Sequence, residues 1–377
     1  MRYYDLRIWR PKSQDEIKKI NRTHKFEGSQ PTNGGSLAIG TGNLLHLSSY
    51  LIHDKLNQTY SPGGMPQTGV FDPGALDIDF QISVIDYASP IGGAEGASIT
   101  IRGIDPATIG QASSLQGATL RLSAGMGHGY PLAKPEQAGV VLYGQIWSPV
   151  GNWEGEDLSL TLFVLPYNGH ATTSENTKPN QPPKVPTYTY QCKRGASLKE
   201  AIKASIRQVS PNVEVIFQTA NDPVATGDIQ GVYHTDHGLF EALADSWEIA
   251  TNKQSRITIT PRDGKFFCKE PHPDQQAIPI AIEELIGQPT WNNVASITIC
   301  CPLRADISVG DIITLPDEAG AIGAIHPQSA LSFSPPKKRA SLFSGKFTVL
   351  HVNHLGQFRS ADGQQWMTAI DCYPTVS

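Results

Sequence analysis

The sequence predicts a mainly β protein with a small α/β part, and three observations support this prediction. Apolar and polar residues alternate with period two in many short segments, which is typical of half-buried antiparallel strands. The 377 residues include 35 glycines and 28 prolines, which mark turns and are scarce in coiled coils and helical repeats. Helical spacing of apolar residues is confined to one region in the middle of the chain. We therefore expect two antiparallel β modules that flank or enclose an α/β unit.

The first β module is predicted to span residues 1–167. Its clearest strand runs from Leu76 to Val84, where every even position is apolar and every odd position is polar. Further strands are predicted, in order, at 99–102, 120–122, 139–146 and 158–165, with a polar connection at 147–157 joining the last two. Residues 26–74 are rich in Gly, Ser, Asn and Pro and are expected to form a long insertion loop with room for a short helix, since loops of this length are usually functional.

A polar, proline-studded linker and a small α/β domain are predicted next. Residues 168–190 form the linker and could contribute the first strand of the second module. Residues 191–252 form the α/β domain, which begins with a capping box from Ser197 to Glu200. A first helix follows and ends before Pro211, a short strand is expected at 213–217, and a second helix is expected at 238–251.

The second β module is predicted to span residues 253–377. Its strands are expected at 256–260, 295–301, 311–315, 347–354 and 366–372, with glycines in the turns between them. A second insertion at 319–344 contains the basic cluster Lys337, Lys338 and Arg339. A cluster of this size is expected to be a solvated loop tip, and contact with an acidic partner is the alternative.

The two β modules show a weak internal repeat. Residues 139–166 and 348–374 each consist of a strand, a polar connection and a second strand followed closely by proline. Both segments have nearly the same length and both end a β module. This pattern favours two related modules in one chain.

Composition excludes several classes of protein. The formal net charge is −5, and no basic stripe is present, which argues against a protein that coats nucleic acid. The five cysteines, Cys192, Cys268, Cys300, Cys301 and Cys372, form no CxxC pair, so neither a disulfide framework nor a zinc knuckle is expected. No apolar run of about 18 residues occurs, so we expect no membrane insertion and folding in a cytosol.

A search for chemistry finds no convincing active site. Asp77 and Asp79 share one strand face and are candidates for a glycoside hydrolase pair, but alternating acids on a polar face are more often simply solvated. Glu154 and Glu156 lie in a hairpin connection and are weaker candidates. We therefore expect no catalytic residue, no cofactor and no metal, and predict that the protein is not an enzyme.

Two histidine pairs have the spacing of metal ligands. His234 and His237 would need help from Asp236 or His272, but they precede a helix, where Thr235 or Asp236 serves as the N-cap. The second pair, His351 and His354, is predicted to lie on opposite faces of one strand, which excludes joint ligation.

Several short motifs, taken in order, resemble the baseplate hub proteins of contractile-tailed bacteriophages. In the first half these are the segments 99–104, 120–125, 139–146 and 158–162. In the second half they are 285–290, 295–300, a valine-glycine-aspartate passage within 307–313, and the closing hairpin 349–356 with 366–370. The resemblance covers about two-thirds of the chain, and its specificity lies in the order of the motifs.

The resemblance implies two tail-tube-like β-barrels per chain, so that a homotrimer would match the hexameric tail tube at one end and the three-fold central spike at the other. The implied partners are the tail tube or a tube-adaptor protein, the spike and baseplate wedge proteins, with DNA passing through the lumen during ejection. The implied location is the virion, after assembly in the host cytoplasm. The alternatives are a tail-associated cell-wall hydrolase and another tube or ring protein.

Overall fold

The computed structural model of the chain describes residues 2–10, 43–51, 70–89, 96–127, 134, 137–167, 186–211, 213–252, 255–270, 275–292, 296–315, 345–362 and 365–375. Within these ranges the fold is mainly β, as the alternating segments predict. Most of the 26–74 insertion and of the predicted linker lies outside the described residues, and so does the whole 319–344 insertion with Lys337, Lys338 and Arg339.

Among the described residues the first β region contains nine strands, of which the last five correspond to the predicted ones and the first four were not predicted. These strands are β1 (Arg2–Trp9), β2 (Asn43–Ser48), β3 (Tyr50–Leu51), β4 (Val70–Phe71), β5 (Asp77–Ile85), β6 (Ala97–Arg102), β7 (Thr119–Met126), β8 (Gly139–Glu154) and β9 (Asp157–Leu165). Helix α1 (Pro106–Gly110) and a 3₁₀ turn (Ala112–Leu115) lie between β6 and β7. The alternation predicted for β5 is confirmed, because Ile78, Phe80 and Ile82 are buried while the residues between Ile78 and Ile82 reach the surface.

Two predictions in this region are wrong. The predicted 26–74 insertion loop contains strands β2 and β3 at 43–48 and 50–51, where β2 gains its hydrogen-bond partners from β1. The segment that begins at Trp147 is not a polar connection, since β8 continues to Glu154 and pairs with β9 throughout. Only Gly155 and Glu156 remain in the turn. One face of this extension mixes Ser148, Val150, Asn152 and Glu154, and the other holds Pro149, Gly151 and Trp153. Neither face is uniformly apolar or polar, so the sequence shows no period-two signal here.

The α/β unit contains both predicted helices. Its elements are β10 (Tyr188–Cys192), α2 (Leu198–Val209), β11 (Glu214–Gln218), β12 (Ile229–Tyr233), α3 (Asp236–Ala250), β13 (Thr258–Arg262) and β14 (Lys265–Lys269). The hydroxyl of Ser197 accepts a hydrogen bond from the N–H of Glu200 and begins α2, as the capping box predicts. Strands β10 and β12 form one antiparallel pair, and β11, β14 and β13 form a three-stranded sheet.

The α/β unit extends further along the chain than the sequence predicts. The segment 256–260, which the sequence assigns to the second β module, contributes to β13, and β13 pairs with β14 beside β11. Ile259 and Phe266 are fully buried in the same hydrophobic cluster as Trp247 of α3. Alternation alone could not reveal this, because it reports that a strand is half-buried and not which sheet it joins.

The second β region comprises β15 (Ile278–Pro279), β16 (Thr290–Trp291), β17 (Ile297–Pro302), β18 (Ile312–Leu315), β19 (Gly345–Gln357) and β20 (Trp366–Pro374). A 3₁₀ turn (Ile282–Glu284) precedes β16. Cys300 and Cys301 lie on opposite faces of β17, with Cys301 buried and Cys300 half-buried.

One continuous sheet joins the two β regions. Its strand order is β16-β17-β20-β19-β5-β6-β9-β8-β7-β1-β2, with β18 and β15 branching from β19. The junction is the antiparallel pairing of β19 with β5, which runs from His351–Ile85 to Gln357–Asp79. Three hydrophobic clusters lie mainly in the first β region, the second β region and the α/β unit. The first cluster also takes in Leu303, Ala305, Phe358 and Trp366 of the second β region. The closure of each β region into a barrel stays a prediction.

The predicted internal repeat is present in the topology and is larger than the sequence suggests. Strands β5 to β9 pair in the order β5-β6-β9-β8-β7, and strands β16 to β20 pair in the order β16-β17-β20-β19-β18. In both sets the fourth strand carries one extra residue opposite the fifth strand, Trp147 in β8 and Leu350 in β19. Both extra residues are exposed apolar side chains.

The hydrogen bonds at the start of the third repeat strand also match. The N–H of Gly117 donates to the carbonyl of Ile146, whose own N–H donates to Ala118. In the second repeat Gly310 donates to Val349, which in turn donates to Asp311. Gly117 and Gly310 have φ of 77° and 80°, a conformation that glycine adopts without strain. These matches fix the residue-by-residue alignment of the two repeats.

Buried hydrogen bonds and ion pairs connect the three units. The ammonium of Lys269 in the α/β unit donates to Asp311 of the second β region at 2.7 Å, with both side chains buried. The amide of Gln137 and the guanidinium of Arg304 both donate to the buried carboxylate of Glu284. Burial alone would raise the pKa of Glu284, but Lys134 and these donors hold it below its ordinary value.

Candidate assembly surface

Asp77 and Asp79, the first candidate hydrolase pair, both have structural partners. The guanidinium of Arg102 donates to Oδ2 of Asp79 at 2.6 and 3.1 Å. Oδ1 of Asp77 accepts a hydrogen bond from the backbone N–H of Arg359 at 3.1 Å. The two carboxylates lie side by side on an open sheet face, whereas a glycosidase pair flanks a bound sugar from two sides. The geometry therefore gives them a role in fixing β5 beside its neighbours.

Glu154 and Glu156, the second candidate pair, lie at the tip of the β8–β9 hairpin. Both residues are exposed, and Glu154 stands opposite Asp157 across the hairpin. A hairpin tip offers no concave surface around its carboxylates, which a substrate site requires.

The two histidine pairs also have local explanations. Thr235 is the N-cap of α3, and its hydroxyl accepts from the N–H of Gly238 at 3.1 Å. His237 lies 3.1 Å, through Nδ1, from the carbonyl oxygen of Tyr87, while His234 is exposed. His272 is outside the described residues. Across the described ranges, no three His, Cys, Asp or Glu side chains are grouped to hold a metal ion.

His351 and His354 lie on opposite faces of β19, as predicted. His351 contacts Ser83 at 2.6 Å and Asp371 at 3.3 Å on the outer face. His354 is buried on the core face, where Nδ1 lies 3.0 Å from the hydroxyl of Thr368. Burial, assisted by the positive charge of Arg262, lowers the pKa of His354 to about 3. This histidine is therefore a neutral core residue at neutral pH.

The surface that remains is the outer face of the joined sheet, which we call the polar face. It runs over seven neighbouring strands and crosses the β19–β5 junction without interruption. The strand registers and burial patterns assign to it Thr298, Cys300, Met367, Ala369, Asp371, His351, Asn353, Leu355, Gln357, Asp77, Asp79, Gln81, Ser83, Ser98, Thr100, Arg102, Asp157, Ser159, Thr161, Phe163, Ser148, Val150, Asn152 and Glu154. Residues at the alternate positions face the hydrophobic cores, except in residues 148–154 of β8, where Gly151 and Trp153 are exposed.

The polar face is weakly acidic. Among the residues just assigned to it, the acids are Asp77, Asp79, Asp157, Asp371 and Glu154, the one permanent cation is Arg102, and none is a lysine. Arg102 is neutralised by Asp79. The hydroxyls of Thr100 and Thr161 hydrogen-bond to each other across β6 and β9 at 3.0 Å. Small uncharged side chains thus fill the middle of the face, and these residues do not concentrate positive charge.

The β8–β9 hairpin is the second notable surface, because it exposes large apolar side chains. Trp147, Val150, Trp153 and Phe163 are 50, 47, 66 and 46% exposed. Val150 and Phe163 belong to the polar face and Trp153 lies on the opposite face, so the hairpin exposes apolar side chains on both faces. Large exposed apolar surface is typical of interaction sites in soluble proteins. We call residues 148–154 of β8 the arm; they pair with β9 on one side, and no described strand pairs with them on the other.

Sequence reasoning missed both surfaces. The polar face needs the β19–β5 pairing, which joins residues more than 260 positions apart and which no local pattern encodes. The sequence assigns the arm to a connection, although Trp147, Val150 and Trp153 within a nominally polar segment were an available signal. None of the described helices is long and apolar enough to span a membrane.

Comparisons with known proteins give no match to a family model and none to a curated protein. Solved structures do share similarity with the chain. A tail protein from Neisseria meningitidis is 10% identical, with 79% of this chain and 95% of that chain covered and a TM-score of 0.46. A prophage tail protein from Shewanella oneidensis is 7% identical, with 80% and 98% covered and a TM-score of 0.42.

A third similar structure is an E. coli component of the type VI secretion system, described as similar to tail proteins of bacteriophage T4. It is 7% identical to this chain, with 80% of this chain and 74% of that chain covered and a TM-score of 0.44.

Proposed function

We propose that the protein is a structural subunit of the baseplate hub of a contractile tail, where three copies form a ring between the tail tube and the central spike. The order of sequence motifs supports the family. The chain carries no catalytic role in this proposal, in keeping with the structural partners of Asp77 and Asp79.

The observation that carries the proposal is the β19–β5 junction. It joins two copies of one five-strand arrangement edge to edge within a single sheet. A chain built in this way supplies two successive units of a ring. Three chains then supply six units, which matches a six-fold tube on one side while the ring keeps true three-fold symmetry for a spike on the other.

The polar face is proposed to line the lumen of this ring. It crosses from one repeat to the other without a step, so six repeats would present a continuous inner wall. DNA binding by proteins depends on lysine and arginine contacts to phosphate. A wall whose one arginine is paired with Asp79 offers few such contacts, and DNA would slide past it during ejection.

The low fraction of charged residues is consistent with a subunit whose surface is largely buried in an assembly. Charged residues make up 17% of the sequence, where roughly a quarter is usual. Surfaces at the core of permanent interfaces are depleted in charge relative to free surfaces. Tube or tube-adaptor protein, spike and wedge proteins are the proposed neighbours, and the virion tail baseplate is the proposed location.

Copy number and symmetry test the proposal. Native mass spectrometry of the purified chain and electron microscopy of assembled particles should give three copies with three-fold symmetry. A six-copy ring would instead identify a tube or ring protein and would refute the hub assignment.

A peptidoglycan zymogram tests the rival hydrolase function. The purified chain is expected to give no lytic band, and Asp77→Asn should behave like the parent. A clear band that disappears in Asp77→Asn would refute a purely structural role.

A further inference from the structure

Among the strands that the structure describes, the arm on β8 lacks the partner that its counterpart in the second repeat possesses. The matched bulges at Trp147 and Leu350 align the arm, residues 148–154, with residues 351–357 of β19. Those residues of β19 pair with β5 along their whole length. The arm has no described strand on the corresponding side, and it exposes Val150 and Trp153.

The second repeat contains a counterpart of β5, which is strand β16 at the end of the joined sheet. Strand β16 opens the second repeat as β5 opens the first, and among the described residues β16 pairs only with β17. The repeat alignment matches Thr298 with Ser98, because Thr298 stands opposite Asp371 as Ser98 stands opposite Phe163. It follows that Thr290 corresponds to Gln81 and Trp291 to Ile82.

We propose that the arm of one copy docks against the β16 edge of a second copy, in the register that β19 and β5 use within the chain. This inference rests on the proposed hub function and names the contact that closes the ring. Leu355 stands opposite Gln81 inside the chain, so Asn152 stands opposite Thr290 of the neighbouring copy. By the same rule, Gly151 stands opposite Trp291.

The two halves of this contact lie at different places on the subunit, so the interface is head-to-tail. Head-to-tail contacts build rings when the rotation closes. Each subunit uses its arm once and its β16 edge once. Around the ring, the β19–β5 junction within a subunit would alternate with the arm–β16 contact between subunits, so all boundaries between repeats would be equivalent. A second copy is thus the occupant that the chain's own repeat specifies.

The chemistry of the arm suits side-chain packing more than a full hydrogen-bond ladder. Pro149 has no N–H to donate, which is typical of edge strands that are protected against indiscriminate pairing. Trp153 takes the place of Gly356, which stands opposite Phe80 inside the chain. On the partner edge, Pro289 takes the place of Phe80. In both contacts a large residue therefore faces a smaller one. The large residue is Phe80 on the β5 side in the internal junction, and Trp153 on the arm side in the proposed contact.

Disulfide trapping in the full chain tests the register. Facing residues of antiparallel strands have Cα atoms about 4.5–5.5 Å apart, within the range that a disulfide spans. In a Cys300→Ser background, Asn152→Cys with Thr290→Cys should give covalently linked dimers and trimers on oxidation. Each single variant, and Asn152→Cys combined with Lys199→Cys on α2, should give only background. Absence of linked species from the paired variant overturns the register.

A pair of matched valine variants tests the surface. Val150 and Val232 are 47 and 59% exposed, so replacement of either by serine should leave the fold intact. Val150→Ser should raise the concentration needed for half-maximal assembly at least tenfold, while Val232→Ser should leave it unchanged. Equal assembly of both variants overturns the proposal. If three copies still assemble in that case, the hub function stands and only this contact fails, whereas a six-copy ring refutes the hub function itself.

Discussion

The N–H of Gly310 donates to the carbonyl of Val349 at 2.9 Å, at the point where the third strand of the second repeat begins. Gly310 adopts φ of 80° to do so. Gly117 makes the same bond to Ile146 in the first repeat at 2.8 Å. Two glycines with one backbone conformation thus serve the same purpose in two distant parts of the chain.

Replacement of Gly310 by alanine should destabilise the protein by about 2–4 kcal/mol. Left-handed backbone costs an L-residue roughly 1–2 kcal/mol, and the new Cβ would lie 2.8 Å from Oγ1 of Thr258. Gly287→Ala is the control, because Gly287 has φ of 79° but no atom within 4 Å of the place that a Cβ would occupy. In urea unfolding, the midpoint of Gly310→Ala should be well below that of the control. Equal midpoints would contradict a destabilising contact between the new Cβ and Thr258.

Replacement of Lys269 by methionine should cost about 3–5 kcal/mol, the usual effect of leaving one member of a buried ion pair unpaired. Asp311, which also accepts from the N–H of Ser308 at 2.8 Å, would lose its hydrogen bond from the ammonium. Lys265→Met is the control, since its pair with Glu214 is largely exposed and such pairs contribute about 0–1 kcal/mol. Thermal unfolding of both variants measures the difference in their losses of stability. Similar losses would show that the buried Lys269–Asp311 pair contributes no more to stability than the exposed Lys265–Glu214 pair.

Stability should fall as the pH is lowered from 7 towards 4, in part because of His354. Its pKa is lowered from 6.5 to about 3 in the folded chain by burial, with a contribution from Arg262. Between these values the unfolded chain binds more protons than the folded chain, so protonation favours unfolding by at most about 1.4 kcal/mol per pH unit.

Denaturation curves of the parent and of His354→Asn at pH 7 and 4.5 check this expectation. The variant should lose less stability than the parent over this interval. His234→Asn, a replacement of an exposed histidine, should keep the pH dependence of the parent. If His354→Asn also keeps it, other groups govern the acid response.

Replacement of Gly356 by alanine should weaken the junction between the two repeats. A Cβ at this position would lie 2.2 Å from the Phe80 ring, which is held in place by edge-to-face contact with Trp366 at 5.2 Å between centroids. Overpacking of this kind costs about 1–3 kcal/mol. The double variant Gly356→Ala with Phe80→Leu should recover part of the loss in unfolding experiments, and strictly additive losses would contradict direct contact.

Local patterns in the sequence determined much of this protein. Period-two alternation located β5 and most of the other long strands, because a strand that covers a core must bury every second residue. Helical spacing and the Ser197 cap located α2 and α3, since these signals act within a few residues. The similar hairpins that end the two β regions already indicated a repeat.

Tertiary structure alone decided how these elements combine. Three contacts join segments that are distant in the sequence. Asn353 pairs with Ser83 at the junction, β13 joins the α/β sheet, and Lys269 pairs with Asp311. The alternation of apolar and polar residues determines which side chains of a strand are buried. The same alternation is compatible with any neighbouring strand, so it does not specify the pairing partner. The choice of neighbour depends on the packing of whole cores. That choice creates the continuous polar face and leaves one edge of the arm without a neighbour among the described strands.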